Sequence, residues 1–111
     1  MKSSFFFLLI AALLLFFPAT AQLPTLNSFT AANATVFIDF DGHYVSGTAW
    51  NMDGPINAAP AGYDAGVINE IFSRVAEDFR PFNLNITTDS TQYWLAPKNK
   101  RMRIIVTPTS Q

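Results

Sequence analysis

Cysteine is absent from all 111 residues, and histidine occurs once, at position 43. The absence of cysteine excludes a disulfide framework and a thiolate metal site. A single histidine excludes a site in this chain that needs three imidazole ligands. Charge is also sparse, because only six basic and eight acidic side chains remain when Lys2 is set aside. Such a balance does not indicate nucleic acid or an anionic membrane as a partner.

The first 21 residues have the pattern of a secretory signal peptide. Lys2 supplies a positive start, Phe5 to Phe17 is an unbroken apolar run, and Ala19 and Ala21 fit an A-x-A cleavage pattern. The apolar run is shorter than the ~20 residues that span a bilayer, which disfavours the alternative of an uncleaved membrane anchor. We therefore expect a secreted protein without a stable membrane anchor, cleaved after Ala21.

Strand and helix patterns alternate along the rest of the chain, after a polar linker predicted at residues 22–33. The apolar runs near Val36 and Ile104 are typical of central parallel strands, and the polar–apolar alternation between them predicts a half-exposed, more peripheral strand. An apolar stripe of helical period follows Asp64, the expected N-cap, and ends before Pro81. The predicted elements are strands at 36–40, 83–88 and 102–107, a helix at 64–80, and a helical turn within 90–98. This order predicts an α/β fold with a parallel sheet.

The long connection at residues 41–62 is rich in glycine and proline, and loops of this length are usually functional or partly structured. We expect Tyr44 and Trp50 to pin this loop onto the sheet. On the helix, opposite charges four residues apart predict exposed pairs of Arg74 with Glu70 and with Asp78. Four basic residues before and within the last strand are expected to form a solvated turn: Lys98, Lys100, Arg101 and Arg103.

The first strand ends in the motif D-F-D-G, with carboxylates at Asp39 and Asp41. Alternation along a strand predicts that both project to the same side at its carboxyl end, where ligands usually sit in open α/β sheets. One hypothesis is a phosphatase similar to the haloacid dehalogenases, with Asp39 as nucleophile, Asp41 as general acid/base, Mg²⁺ bridging to the phosphate and Thr107 holding it. His43 after the glycine departs from that family's pattern, and its later lysine and acidic pair are absent.

A second hypothesis rests on a longer stretch of sequence. The segments V-F-I-D-F-D-G-H (36–43), S-G-T-A-W-N (46–51) and I-F-S-R-V-A-E-D-F-R-P-F-N-L-N-I-T-T-D (71–89), with the V-T-P-T-S end at 106–110, resemble the N-terminal part of the catalytic domain of secreted bacterial zinc metallopeptidases of the metzincin type. The segment from Arg74 to Asp89 is the most specific part. The resemblance implies an incomplete three-layer parallel-sheet α/β domain at residues 34–111, the strand–helix–strand–strand upper half of such a catalytic domain.

In that family the zinc site lies on a later helix with the motif H-E-x-x-H-x-x-G-x-x-H, which this sequence lacks. The resemblance therefore implies a fragment of a zinc-dependent endopeptidase that is inactive as it stands. Zinc and protein or peptide substrates are implied for the full-length parent, and no catalytic, cofactor-binding or metal residue is expected in this chain. Asp39 and Asp41 are then expected to cap a turn and anchor the loop. A third hypothesis is a small exported binding module that uses the 41–62 loop as its contact surface.

Overall fold

The computed structural model describes residues 23–110, which form a mixed α/β structure. The predicted signal peptide and its cleavage site lie outside the described residues, as does Gln111. Within the described part, no helix is long and apolar enough to cross a membrane. The elements are β1 (Ala34–Asp39), β2 (His43–Val45), β3 (Ile56–Ala58), α1 (Ala65–Asp78), β4 (Leu84–Thr87), α2 (Ser90–Leu95) and β5 (Arg101–Ile105), with a 3₁₀ turn at Lys98–Lys100.

Three parallel strands form the main sheet in the order β4–β1–β5. Val36 of β1 is paired with Ile86 on one side and with Met102 on the other. The predicted parallel sheet and the central place of β1 are therefore confirmed. The expectation for β5 needs correction, because among the described residues β5 neighbours only β1 and lies at the sheet edge.

Helix α1 covers one face of this sheet. Its N-cap is Asp64, whose Oδ1 accepts a hydrogen bond from the Val67 N–H at 2.9 Å, as the sequence predicted. The helix ends at Asp78, short of Pro81. Its apolar stripe packs on even-numbered strand residues, and the buried core on this face consists of Ile38, Phe40, Ile68 and Ile86. The apolar side chains that recur with helical spacing on α1 and at every second residue of the strands thus pack together in one layer.

The exposed face of α1 carries one of the two predicted ion pairs. Arg74 Nη2 lies 2.7 Å from Glu70 Oε1, and both side chains are largely exposed. No ion pair joins Arg74 to Asp78 among the described residues, so only one of the two predicted ion pairs forms. An exposed pair of this kind contributes about 0.3–0.5 kcal/mol, which makes it a surface feature.

On the opposite face of the sheet, the residues of β4 are polar and nevertheless buried. Asn85 and Thr87 of β4 are 1% and 0% exposed, although their alternation predicted a half-exposed strand. The N-terminal segment covers them, because Ser28 N–H donates to Ile86 O at 2.9 Å and Thr88 N–H donates to Leu26 O at 3.0 Å. The part of the predicted linker that the structure describes is therefore hydrogen-bonded along the outer edge of β4.

The 41–62 connection is partly structured, as its length suggested, because β2 and β3 pair antiparallel within it. Gly42 starts the connection with φ +90°, and a Cβ built there would lie 2.9 Å from Ala58 O. The expectation that Tyr44 and Trp50 pin the loop is wrong. The two residues are 59% and 84% exposed, so neither is held against the sheet.

Candidate functional site

Asp39 is the last residue of β1 and lies on the sheet face opposite α1. The residue is 2% exposed, and its Oδ1 accepts a hydrogen bond from the Asp41 N–H at 3.2 Å. This bond closes the turn that leads from the strand into the 41–62 connection. Asp41 itself is exposed. The two carboxyls therefore differ in burial, although they remain close enough for Asp41 to affect the pKa of Asp39.

Arg103 on β5 is the nearest cation to Asp39. Its Nε lies 3.5 Å from Asp39 Oδ2, and the two side chains are 16% and 3% exposed. Parallel pairing of Phe37 with Arg103 places the arginine on the same sheet face as Asp39, two residues along β1. The Arg103 Nε is buried and has no hydrogen-bond partner among the described residues. The Asp39–Arg103 pair is thus an ion pair inside the fold.

His43 completes this cluster from β2. Arg103 Nη1 lies 2.8 Å from His43 Nε2 and 3.2 Å from Nδ1, so a neutral imidazole accepts a hydrogen bond from the guanidinium. Burial, and then the charge of Arg103, lower the pKa of His43, while the Asp41 carboxylate opposes this shift. The only histidine of the sequence therefore serves as a neutral acceptor for Arg103.

The pKa of Asp39 is raised from its ordinary value to about 6. Burial is the main cause, and the carboxyl of Asp41 adds to it. The backbone N–H of Asp41 and the charge of Arg103 act in the opposite direction without compensating fully. The Asp39 carboxyl therefore takes up a proton at mildly acidic pH, near its pKa of about 6.

Aromatic rings of α2 cover the two arginines of β5. The guanidinium carbons of Arg101 and Arg103 both lie 4.7 Å from the centre of the Tyr93 ring, and 5.0 and 5.6 Å from that of Trp94. Phe37 lies beneath, 5.4 Å from the Arg103 guanidinium. These are cation–π distances, so the arginines pack between strand and helix. The prediction of a solvated basic turn is therefore wrong for Arg103, whose alternation with Met102 and Ile104 was the signal of a strand.

The other side chains proposed for phosphate chemistry do not join this cluster. Thr107 Oγ1 donates to Ala59 O at 2.7 Å and accepts from the Thr109 N–H at 3.1 Å, so it fastens the end of the chain to the loop. In residues 23–110, no three His, Cys, Asp or Glu side chains are grouped closely enough to hold a metal ion. The structure therefore brings together Asp39, Arg103 and His43, with the exposed carboxyl of Asp41 close enough to affect the pKa of Asp39 and of His43. Of these residues, Asp39 and Asp41 were the predicted candidates.

Comparison with protein-family models, with curated proteins and with solved structures finds no match for this chain. The role of the cluster of Asp39, Arg103 and His43 is therefore inferred from the chemistry of these three side chains. A buried carboxyl, a guanidinium and a neutral imidazole in a row tie β1, β2 and β5 together at the carboxyl end of the sheet.

Proposed function

We propose that this chain is the N-terminal part of the catalytic domain of a secreted zinc endopeptidase of the metzincin type, whose zinc ligands lie outside these 111 residues. The observation that carries the proposal is the structural use of Asp39. Its carboxyl is buried, closes a turn through the Asp41 N–H and pairs with Arg103. The D-F-D-G motif then shapes the fold, as the resemblance implies.

The segment that carries the resemblance most specifically forms consecutive elements of the fold, which supports the proposal. Residues 74–89 run from the last turns of α1 through a short turn into β4 and reach the N-cap of α2. Asp89 Oδ1 accepts from the Thr91 N–H at 3.0 Å, and Asn85 Oδ1 accepts from the N–H groups of Ser28 and Phe29. The polar residues of β4 and of the turn after it therefore have architectural roles.

The residues of this chain do not fit a zinc site by themselves. His43 is its only imidazole, and the Arg103 guanidinium that contacts both ring nitrogens would repel a cation there. In the proposed function, the parent protein supplies the zinc site and this chain supplies the sheet and helix that support it.

The phosphatase hypothesis receives less support from the same geometry. A nucleophilic aspartate must reach the phosphorus atom, but Asp39 is 2% exposed, and its two oxygen atoms face the Asp41 N–H and Arg103. Asp41, expected to be the general acid/base in this hypothesis, is exposed, and its backbone N–H donates to Asp39 Oδ1. The hydroxyl of Thr107, expected to hold phosphate in this hypothesis, donates instead to Ala59 O in the loop.

A small binding module is the second candidate, and one observation favours it. Trp50 and Met52 in the 41–62 connection are 84% and 89% exposed, beside a turn in which Asn51 Oδ1 accepts from the Thr48 N–H and hydroxyl at 2.9 and 2.6 Å. An exposed tryptophan on an ordered turn is a common anchor in protein recognition.

The reading frame of the source gene beyond Gln111 distinguishes these candidates. We expect an in-frame H-E-x-x-H-x-x-G-x-x-H, and we expect the product of the full frame to bind one zinc ion and to cleave a peptide substrate. The 111-residue chain should do neither when its zinc content is measured by mass spectrometry. A frame that stops after Gln111, or one that continues without this motif, would contradict the proposal.

Substitutions in the full-length product test the role of Asp39 within it. Asp39→Asn should change the pH dependence of the unfolding free energy and leave kcat of the folded fraction unchanged. Asp53→Asn, in the exposed loop, is the matched control and should change neither. A folded, zinc-loaded Asp39→Asn protein without peptidase activity would show that Asp39 takes part in the chemistry.

A further inference from the structure

The hairpin formed by β2 and β3 is linked to the main sheet through His43. Arg103 Nη1 on β5 lies 2.8 Å from His43 Nε2 and 3.2 Å from Nδ1. Among residues 23–110, no other hydrogen bond or ion pair joins a residue of β2 to the main sheet. The polar attachment of β2 therefore depends on one imidazole.

This contact exists only while the imidazole is neutral. A neutral ring has a nitrogen that accepts a hydrogen bond from the guanidinium, but in the protonated ring both nitrogens are donors. A guanidinium has donors alone and a permanent positive charge. Uptake of a proton by His43 therefore replaces a hydrogen bond with two facing donors of like charge.

The guanidinium of Arg103 is packed on both sides and is not free to turn away. Its central carbon lies 5.4 Å from the centre of the Phe37 ring and 4.7 Å from that of Tyr93. The hairpin is less enclosed, because Tyr44 in the middle of β2 is 59% exposed. The conflict between His43 and Arg103 is therefore relieved most easily by movement of β2.

The other end of the hairpin is fastened by bonds between neutral groups. The Ala59 N–H donates to Thr109 Oγ1 at 3.0 Å, and Thr107 Oγ1 donates to Ala59 O at 2.7 Å. The Ala61 N–H donates to Phe40 O at 2.9 Å. Amides and hydroxyls do not titrate in mild acid, so we expect this end to stay attached while β2 moves.

The charged groups around His43 act through two carboxyls and one guanidinium. The charge of Arg103 disfavours the protonated ring, and the carboxylate of Asp41 favours it. Asp39 offsets the charge of Arg103, but its own pKa is about 6, so this compensation fades in mild acid. Strand β3 (Ile56–Ala58) brings no charged side chain, and α2 brings the ring of Tyr93 to Arg103.

We propose that the β2–β3 hairpin is an acid-sensitive switch, which is held on the sheet while His43 is neutral and released when His43 takes up a proton. In the held state the pKa of His43 lies below its ordinary value of 6.5, whereas a released ring in solvent has the ordinary value. The held state is therefore favoured above pH 6.5 and is lost as the pH falls through the lowered pKa. The inference concerns the described residues and does not depend on the proposed peptidase function.

Thiol labelling at single introduced cysteines measures the release, since the chain has no cysteine of its own. Ala58 on β3 is 4% exposed, and its neighbour Asn57 is exposed. The ratio of labelling rates in Ala58→Cys and Asn57→Cys, with a dipyridyl disulfide, cancels the pH dependence of the reagent. We expect this ratio to rise by up to about 30-fold between pH 7 and pH 5, the limit for one proton with an ordinary pKa of 6.5.

Two control variants separate release from other effects of acid. Thr35→Cys, at a position on β1 that is 7% exposed, should stay protected at both pH values, because the main sheet does not open. His43→Gln keeps an oxygen that can accept from Arg103 and cannot titrate, so in this background the labelling ratio should not change with pH.

Three labelling results would overturn the proposal: a ratio that does not change with pH, a rise that persists in His43→Gln, and an equal rise in Thr35→Cys. NMR of the unsubstituted protein gives a second measurement if a cysteine at position 58 itself loosens the hairpin. His43 is the only histidine, so its ring signals report its protonation directly. We expect nuclear Overhauser contacts between this ring and the Arg103 side chain to disappear as the ring titrates. A protonated ring that keeps these contacts would contradict the switch.

Discussion

Asp39 on β1 and Arg103 on β5 form an ion pair inside the fold, with Oδ2 and Nε 3.5 Å apart and both side chains largely removed from solvent. The pair joins two neighbouring strands at the end of the sheet where α/β proteins place their chemistry. Through Arg103 it also reaches His43 on β2. The D-F-D-G motif resembles a nucleophile with its acid/base partner. Its Asp39 belongs instead to a set of contacts that connects β1, β5 and β2.

The pH dependence of stability should reveal Asp39. Its pKa in the folded state is about 6, above its ordinary value of 3.8, so the folded protein binds the proton more tightly than the unfolded one. Its contribution to stability is therefore fully present below pH 3.8 and is lost as the pH rises through about 6. Asparagine mimics the protonated carboxyl at every pH. We expect Asp39→Asn to gain up to about 3 kcal/mol relative to the unsubstituted protein between about pH 4 and pH 7.

Urea unfolding of both proteins across this range measures the difference. The pKa of His43 is lowered, so its contribution is present above pH 6.5 and is lost as the pH falls through the folded pKa. His43 is present in both proteins, and its effect largely cancels when they are compared. A difference in unfolding free energy that is constant with pH, or that falls as the pH rises, would contradict the burial of Asp39.

Gly42 should be irreplaceable in the turn after β1. Its φ is +90°, and an added Cβ would lie 2.9 Å from Ala58 O and 3.1 Å from Pro60 N, both backbone atoms. We expect Gly42→Ala to lower the free energy of unfolding by about 2–3 kcal/mol. Gly47→Ala is the control, because Gly47 also has positive φ but meets nothing within 4 Å; its cost should be about 1 kcal/mol. Equal losses in the two variants would show that the contact at Ala58 is unimportant.

Asn85 should hold the N-terminal segment to the sheet. Its Oδ1 accepts from the N–H groups of Ser28 and Phe29 at 3.2 and 3.0 Å, and its Nδ2 donates to Asn27 Oδ1 at 3.1 Å. We expect Asn85→Ala to cost about 1–3 kcal/mol in denaturant unfolding, because the Phe29 N–H loses its acceptor, the bond to Asn27 is lost, and the Ser28 N–H keeps only its bond to Ile86 O.

Limited proteolysis gives a second measure of the same contact. Asn85→Ala should make residues 23–33 more accessible to a protease, whereas Asn83→Ala, at an exposed position with one hydrogen bond to Asn33, should leave them protected. Unchanged protection in Asn85→Ala would show that the segment is held by other contacts.

Local sequence patterns predicted where helices and strands form better than they predicted which elements contact one another. The N-cap at Asp64 and the apolar stripe of α1 depend on residues close in sequence, and both were predicted. Burial of Asn85 and Thr87 depends on a segment about 60 residues earlier, which alternation within β4 does not reveal. Arg103 was missed for the same reason, because its partners Asp39 and His43 come from other strands.

Trp50 is the opposite case, because it was predicted to contact the sheet and is exposed. A tryptophan in a long loop suggested an apolar contact with the sheet, but the hydrogen bonds of Asn51 to Thr48 fold the turn on its own. The side chain is then free to remain in solvent. Sequence composition indicated that the loop is structured, while the direction of its side chains depended on turn geometry.

A titration with Mg²⁺ at constant pH, followed by NMR of the carboxyl carbons of Asp39 and Asp41, tests the structural role of Asp39 directly. We expect that the Asp39 signal does not move with Mg²⁺, since its carboxyl is held by Arg103 and the Asp41 N–H, and that it titrates with pH at a pKa of about 6. Saturable shifts of both carboxyl signals with the same dissociation constant would contradict a structural role for Asp39. Such shifts would place a cation between the two aspartates and return the motif to catalysis.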